Sequence, residues 1–244
     1  LQNVLRSGYT IKTLGNAGGL FPELTGGSPG NTYNPTNMTS AVWLPDGRSY
    51  KFFYNSYGEL ARVELPTGGA VEYDMTPGSG VVCYGGCADP SADRQIYRRV
   101  VERRVYPNGS SGNNYELKEV YTNSETIGTN SSTVTVESTA SNGTNSAIIS
   151  RHRHYFDGSA LNSFFTGGSS GYGPWYEGHE KQTDQLDTTG AIETATVLRR
   201  TVNTWAQQSH ISWWTGYGPQ SEEAPNNPRL IETITTIEPS GANL

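Results

Sequence analysis

Leu44-Pro45-Asp46-Gly47-Arg48-Ser49-Tyr50-Lys51-Phe52-Phe53-Tyr54-Asn55-Ser56-Tyr57-Gly58-Glu59-Leu60-Ala61-Arg62-Val63-Glu64-Leu65-Pro66-Thr67-Gly68-Gly69-Ala70-Val71-Glu72-Tyr73-Asp74 is a unit that starts over before it ends. Leu44-Pro45-Asp46-Gly47 returns as Leu65-Pro66-Thr67-Gly68. Phe52 returns as Tyr73 and Tyr54 as Met75, at the same spacing. Each Pro fixes φ, and each Gly permits the return leg of a turn. Between the turns run a strand with aromatics two apart, a second turn at Tyr57-Gly58, and a strand holding Leu60, Val63 and Leu65. Tyr106-Pro107-Asn108-Gly109 repeats the turn about two periods later, after an insertion rich in Gly and Cys. Pro45, Gly47, Pro66, Gly68, Pro107 and Gly109 therefore mark repeat turns, and the repeat predicts successive hairpins.

The remaining sequence has the same texture. The 244 residues include 29 Gly, 13 Pro and 15 Tyr but only 2 Met, and Thr, Ser and Asn abound. Thr and Tyr suit a pleated surface while Gly, Asn and Ser suit turns. Such a chain is not a helical bundle or a coiled coil. With 11% aromatic residues it has something to bury and is not disordered throughout. The formal net charge of -6 speaks against nucleic acid, whose binders carry a basic face. The longest apolar runs, Ala41–Leu44 and Val81–Tyr84, are far short of the ~20 residues of a membrane span. The chain starts at Leu1 without Met or a signal-type apolar stretch, which reads as a mature or excised piece of something longer.

Three segments follow from these patterns. Residues 1–40 read as an irregular Gly/Pro/Asn-rich arm packed on something. Residues 41–110 hold the repeats and a Cys loop, and residues 111–244 hold degenerate hairpins. Alternation predicts strands at Ile96–Tyr106, Tyr115–Thr122, Thr133–Ser138, Ala147–Phe156, Ile192–Trp205 and Arg229–Glu238. Asn123–Ser132 reads as an exposed hairpin tip, and Glu180–Asp187 as turn or strand. The strand faces are mixed: Ile148, Ser150, His152, His154 and Phe156 share one side, Ala147, Ile149, Arg151, Arg153 and Tyr155 the other. Such strands suit a broad sheet with polar neighbours on both faces. The expected fold is all-β, with antiparallel hairpins in a continuous sheet ribbon and little helix.

Leu44–Asp74 resembles the YD-repeat (RHS-repeat) proteins. The matching elements are Pro45-Asp46-Gly47, Phe52-Phe53-Tyr54-Asn55, Gly58-Glu59-Leu60, Val63, Pro66-Thr67-Gly68 and Tyr73-Asp74. Asn55 stands where Asp is usual, and Met75 replaces the Tyr of the second unit. Arg98–Gly109 and Arg199–Trp205 are compatible but degenerate. The resemblance implies a hairpin ribbon that can wind into a hollow shell, in a large exported protein. Some relatives end in a self-cleaving motif and a toxic tip. Here Asp89-Pro90 is followed by Ser91-Ala92, not by that motif's Gly-Leu.

Several residues invite a chemical role. Cys83 and Cys87, separated by Tyr84-Gly85-Gly86, can close a small disulfide loop. Their spacing is not that of the usual redox pair, and no His lies near in sequence to complete a metal site. His152 and His154 share a strand face, but a metal would need a third ligand, His179 or His210, brought near by the fold, and Arg151 and Arg153 disfavour cation capture there. No metal site and no cofactor is expected. Arg94, Arg98, Arg99, Arg103 and Arg104 either hold an anion or, the plainer reading, pair with carboxylates such as Glu102, Glu116 and Glu119 across strands. Arginines that alternate along one strand cannot form one patch.

Trp175, Tyr176, Trp205, Trp213, Trp214 and Tyr217 gather aromatics that either stack on sugar rings or anchor loops. No catalytic residue is assigned, because no Gly-x-Ser-x-Gly, His-Glu-x-x-His or phosphate-loop motif occurs. Glu177, Glu180, Asp184 and Asp187 are acids from which a glycosidase pair could be drawn. The sequons at Asn37, Asn108, Asn130 and Asn142 are what chance supplies in so Asn- and Ser/Thr-rich a chain.

The leading expectation is a non-enzymatic shell, stalk or spacer of an exported protein at the cell surface or beyond. Its sheet edges would meet flanking repeats of the same chain or a second copy. The alternatives are a glycan-binding module using the C-terminal aromatics and a glycan-active enzyme on a β scaffold.

Overall fold

The computed structural model describes residues 4–15, 18–21, 29–35, 37–79, 93–125, 131–157, 175–176, 178–209 and 227–238. The fold is all-β with little helix, as the composition and repeat require. Its strands are β1 (Ala41–Trp43), β2 (Ser49–Tyr54), β3 (Leu60–Glu64), β4 (Ala70–Ser79), β5 (Asp93–Tyr106), β6 (Leu117–Glu125), β7 (Ser131–Ser141), β8 (Ser146–Asp157), β9 (Glu180–Leu186), β10 (Val197–Ala206) and β11 (Arg229–Ile237). Among the described residues they form one 11-stranded sheet in sequence order. The chain divides into two compact units: Leu1–Gly78 with Arg94–Val120 and Ser138–Ala147, and Ser79–Asp93 with Tyr121–Glu137 and Ile148–Leu244.

In the first unit the turns share one geometry. Gly47 N–H donates to Leu44 O at 3.0 Å, and Leu44 N–H to Arg48 O at 2.8 Å. Gly68 N–H donates to Leu65 O at 2.9 Å, and Leu65 N–H to Gly69 O at 2.8 Å. Between them, Gly58 N–H donates to Asn55 O at 3.0 Å, and Asn55 N–H to Glu59 O at 2.9 Å. The glycine φ values are 84°, 92° and 78°, in the left-handed region. These are three-residue hairpin loops, a tight turn closed by a left-handed glycine. Gly109 makes the same bond to Tyr106 O at 3.5 Å with φ 67°. There the chain takes a wider path before β6, and Glu116 N–H rejoins the ladder at Val105 O. The registers Phe52↔Val63 and Val63↔Val71 carry the hairpin series across β2, β3 and β4.

The described part of the N-terminal stretch is irregular and tied to these hairpins. Arg6 N–H donates to Tyr54 O at 2.9 Å, Ser56 Oγ to Thr10 O at 2.6 Å, and Tyr57 Oη to Leu20 O at 2.7 Å. Phe21 meets the Tyr57 ring edge-on at 5.8 Å.

In the second unit β8, β9, β10 and β11 pair antiparallel, through Arg153↔Asp184, Arg200↔Asp184 and Val202↔Ile234. β10 starts at Val197 rather than Ile192. Residues Asp187 to Thr196 form a loop in which Asp187 Oδ1 accepts from Thr189 N–H and Thr194 N–H donates to Ala191 O. β6 and β7 reach Glu125 and Ser131, further into the Asn123–Ser132 tip than alternation alone predicts.

The described interior holds few wholly buried apolar residues: Leu20, Ala61, Ala70, Tyr106 and Leu186. Buried polar residues are more numerous: Asn55, Ser56, Arg62, Glu72, Thr135, Ser138, Arg151 and Asp184. Polar pairing therefore sets much of this interior, because a polar group buried without a partner costs free energy. No helix among the described residues is long and apolar enough to cross a membrane.

Candidate functional site

Three polar or aromatic clusters are built by this sheet. The first lies on one face of β4 and β5. Arg62 donates to Glu72 Oε1 at 2.8 Å and to the carbonyls of Gly109 and Ser110 at 2.7 and 3.0 Å. Arg104 donates to Asp74 Oδ2 at 2.6 Å and pairs with Glu102, and Tyr106 Oη reaches Glu72 Oε2 at 3.1 Å. Arg6 comes in from the N-terminal stretch to pair with Asp74. Burial would raise the Asp74 carboxyl, but the hydrogen bonds and charges of Arg6 and Arg104 outweigh it and hold it below the ordinary range. Burial and the nearby Glu72 carboxylate push the Tyr106 hydroxyl up to about 12. Each charged side chain in this group meets one of opposite charge, so the group ties these strands together, and the buried Nε of Arg104 has no hydrogen-bond partner.

The second cluster surrounds Asp184, whose residue exposure is 1%. Arg200 grips it with two bonds of 2.7 Å, Tyr155 Oη lies at 3.3 Å, and Gln182 Nε2 lies 3.1 Å from both oxygens. On the same face Arg151 donates to Glu137 at 2.8 Å and to Gly190 O at 3.0 Å, and Arg153 to Ile192 O at 3.2 Å. Arg151 and Arg153 thus hold the Asp187–Thr196 loop over their face of the sheet.

The third cluster is aromatic and lies at the closed end of the β8–β9 hairpin. Gly178, with φ 79°, turns the chain back so that its N–H donates to Asp157 O and Asp157 N–H donates to His179 O. The His179 ring lies 4.5 Å from Trp205 and 6.1 Å from Trp175, and Trp175 meets Tyr176 edge-on at 5.8 Å. Trp205 Nε1 donates to Glu180 O at 2.9 Å. The Glu180 carboxylate engages His154 Nδ1 and Thr183 Oγ1, each at 2.5 Å. The His154 ring stacks on Phe156 at 6.5 Å. His152 lies 6.3 Å from His154, and burial followed by that neighbour depresses its pKa. The buried Nδ1 of His179 has no hydrogen-bond partner. Half-buried indole and phenol rings beside a carboxylate and imidazoles can hold a sugar ring by stacking and hydrogen bonds.

A one-residue bulge separates the acids. Tyr155 pairs with Gln182 but Phe156 with Glu180, so Lys181 has no partner across the ladder. Glu180 consequently joins the His154 face while Asp184 stays on the opposite one. The two are not a pair of carboxylates flanking one substrate bond. Asp187 lies in its loop, where hydrogen bonds from Thr189 hold its carboxyl low. Glu177 lies outside the described residues.

Of the arginines, Arg98 donates to Glu59 Oε2 at 2.9 Å, with its guanidinium 3.6 Å over the Tyr57 ring. Arg103 pairs with Glu119 at 2.8 Å. Arg103 and Arg104 point to opposite faces and meet carboxylates there. The side chain of Arg94 lies outside the described residues, as do Cys83, Cys87, Asp89-Pro90, Asn130, His210, Trp213, Trp214 and Tyr217. Of the aromatics that the sequence singles out, the structure brings Trp175, Tyr176 and Trp205 together. It adds Glu180, which the sequence singles out only among the acids, and His179 and His154, which it singles out only as metal-ligand candidates. Among the described residues no three His, Cys, Asp or Glu side chains are grouped to hold a metal ion. No protein-family model matches the sequence, and no curated protein matches it.

Proposed function

We propose that this chain is a non-enzymatic structural segment, a wall, stalk or spacer, of a large exported protein of the YD-repeat kind. The observation that carries the reading is the recurring turn at Leu44, Asn55 and Leu65, which joins strands that each lie beside their neighbours in sequence. Such an array grows by adding hairpins and depends on neighbours at both edges. Its polar groups are spent on internal ties, as in the Arg62–Glu72 and Arg200–Asp184 pairs. In this role the segment works outside the cell and holds or displays other parts of the same protein.

The test uses the cells that make it. Added protease is expected to cleave the protein on intact cells. In-frame removal of residues 41–206 is expected to leave the rest of the protein made but no longer displayed. Protection from protease until lysis, or hydrolysis of a glycan by the purified chain, overturns the reading.

A second reading, glycan binding, is favoured by one observation, the Trp175–His179–Trp205 group beside Glu180. Glycan-array binding that is lost in both Trp175→Ala and Trp205→Ala would establish it. Absence of binding by the unaltered chain would remove it.

A further inference from the structure

Among the described residues β11 is the last strand in the sheet order, and each of its residues is exposed. Leu230, Ile231, Ile234 and Ile237 are 46, 55, 52 and 61% exposed. A long apolar edge of this kind is a template for strand pairing. Its sequence nearly reads the same in both directions about Ile234: Ile231-Glu232-Thr233-Ile234-Thr235-Thr236-Ile237.

The backbone parity agrees with that symmetry. Glu238 N–H donates to Leu198 O, and hydrogen-bonded positions alternate along an antiparallel ladder. Ile237, Thr235 and Thr233 therefore turn their N–H and C=O groups away from β10. A two-fold axis through Ile234 sets Thr233 opposite Thr235 of a second copy and Ile234 opposite itself, and the regular stretch ends at Ile231, the extra residue of a bulge against β10. Glu232 meets Thr236, so no like charges oppose each other. On the Ile234 face, Val202 of β10 extends the apolar row, since it pairs with Ile234.

We propose that the chain forms a symmetric dimer by antiparallel pairing of β11 with β11 of a second copy. The occupant is a second copy because this edge complements itself, as a two-fold interface requires. Cross-strand Ile–Ile and Thr–Thr pairs are the side-chain unit that stabilises such a seam. The proposal goes beyond the structural-segment reading by naming a second copy, rather than a further hairpin of the same protein, as the neighbour at the β11 edge; a monomer would overturn it and leave that reading standing, with flanking repeats at this edge.

Sedimentation velocity of the 244-residue chain tests it, together with four variants. The unaltered chain is expected at twice its monomer mass as concentration rises. Ile234→Lys puts like charges on the axis. Thr235→Pro removes an outward N–H without touching the β10 ladder. Both are expected at monomer mass with unchanged far-ultraviolet circular dichroism. Ile234→Cys is expected to link to itself, because residues facing across a non-hydrogen-bonded pair lie ~4.5 Å apart at Cα, within disulfide reach. Peptide mapping reads that bond directly, and Thr236→Cys, displaced along the strand, is expected not to form one. A monomer at every concentration overturns the proposal. So does a dimer that survives both Ile234→Lys and Thr235→Pro, or self-linkage of Thr236→Cys as ready as that of Ile234→Cys.

Discussion

Gly109 and Gly47 occupy the same kind of turn but meet different surroundings. Both have left-handed φ, 67° and 84°. A Cβ on Gly47 meets nothing within 4 Å, whereas one on Gly109 lies 2.7 Å from the Gly68 carbonyl oxygen. Gly47→Ala should therefore cost about 1 kcal/mol, from backbone strain alone. Gly109→Ala should cost about 2–4 kcal/mol, because two backbones must also move apart. Urea unfolding midpoints of the two variants check the order, and an equal loss would refute the close packing of these turns. Asn55 shows the same dependence on neighbours. Its Oδ1 accepts from the Tyr57 and Glu59 N–H groups, and its Nδ2 donates to Glu59 Oε2 at 2.6 Å. An Asp could make the first two bonds but would face Glu59 with a second carboxylate. Asn55→Asp should lower stability by about 1 kcal/mol at neutral pH. Two facing carboxylates raise the folded pKa, so the deficit should shrink as pH falls toward about 4. Unfolding curves at pH 7 and pH 4 measure it.

β4 and β5 hold the N-terminal stretch through charge. Asp74 binds its proton more weakly folded than unfolded, because Arg6 and Arg104 favour the carboxylate. The stability this adds is complete above the unfolded carboxyl pKa of about 3.9 and is lost as pH falls through the lower folded value. Acid should therefore release the Arg6 end before the β2–β3–β4 hairpins open. Hydrogen exchange at the Arg6 amide, corrected for its intrinsic rate, should rise below about pH 4 relative to the hairpin amides. In Asp74→Asn that amide should already be less protected at neutral pH, with no further acid step. The β9–β10 connection illustrates the reverse influence, of packing on an element's limits. Ile192, Thr194 and Thr196 alternate as a strand would, but Arg151 and Arg153 take the loop's carbonyls instead. Those arginines come from β8, remote in sequence, so the alternation misplaces the start of β10.

The molecule as a whole is a series of local pairings rather than a sheet knitted from distant segments. Each strand pairs with the one before and after it, and the chain separates into two compact units. Its described interior depends on polar ties within each unit, with few buried apolar residues to make the whole cooperative. Heat should therefore unfold it in more than one step, as nearest-neighbour arrays do when cooperativity fails. Calorimetry should return a measured enthalpy larger than the van't Hoff value. A ratio of one, with fluorescence and circular dichroism transitions coincident, would contradict this.

The class of fold and the hairpin turns were legible in the residues, because a Pro that sets φ and a Gly that accepts a left-handed φ act within four adjacent positions. The strands Ala147–Phe156 and Arg229–Glu238 lie within one residue of β8 and β11 at each end, since alternation is likewise local. The partners of the charges were not legible. Arg6 with Asp74 and Arg98 with Glu59 meet across separations that no local pattern encodes. The aromatic site was half legible: Trp175, Tyr176 and Trp205 stand out by type, but their meeting with His179 depends on how β8, β9 and β10 end together. The face of Glu180 was hidden altogether. Strict alternation places it beside Asp184, and the unpaired Lys181 reverses it. A bulge is stabilised by the strands on either side of it, so that reversal exists only once the sheet has formed.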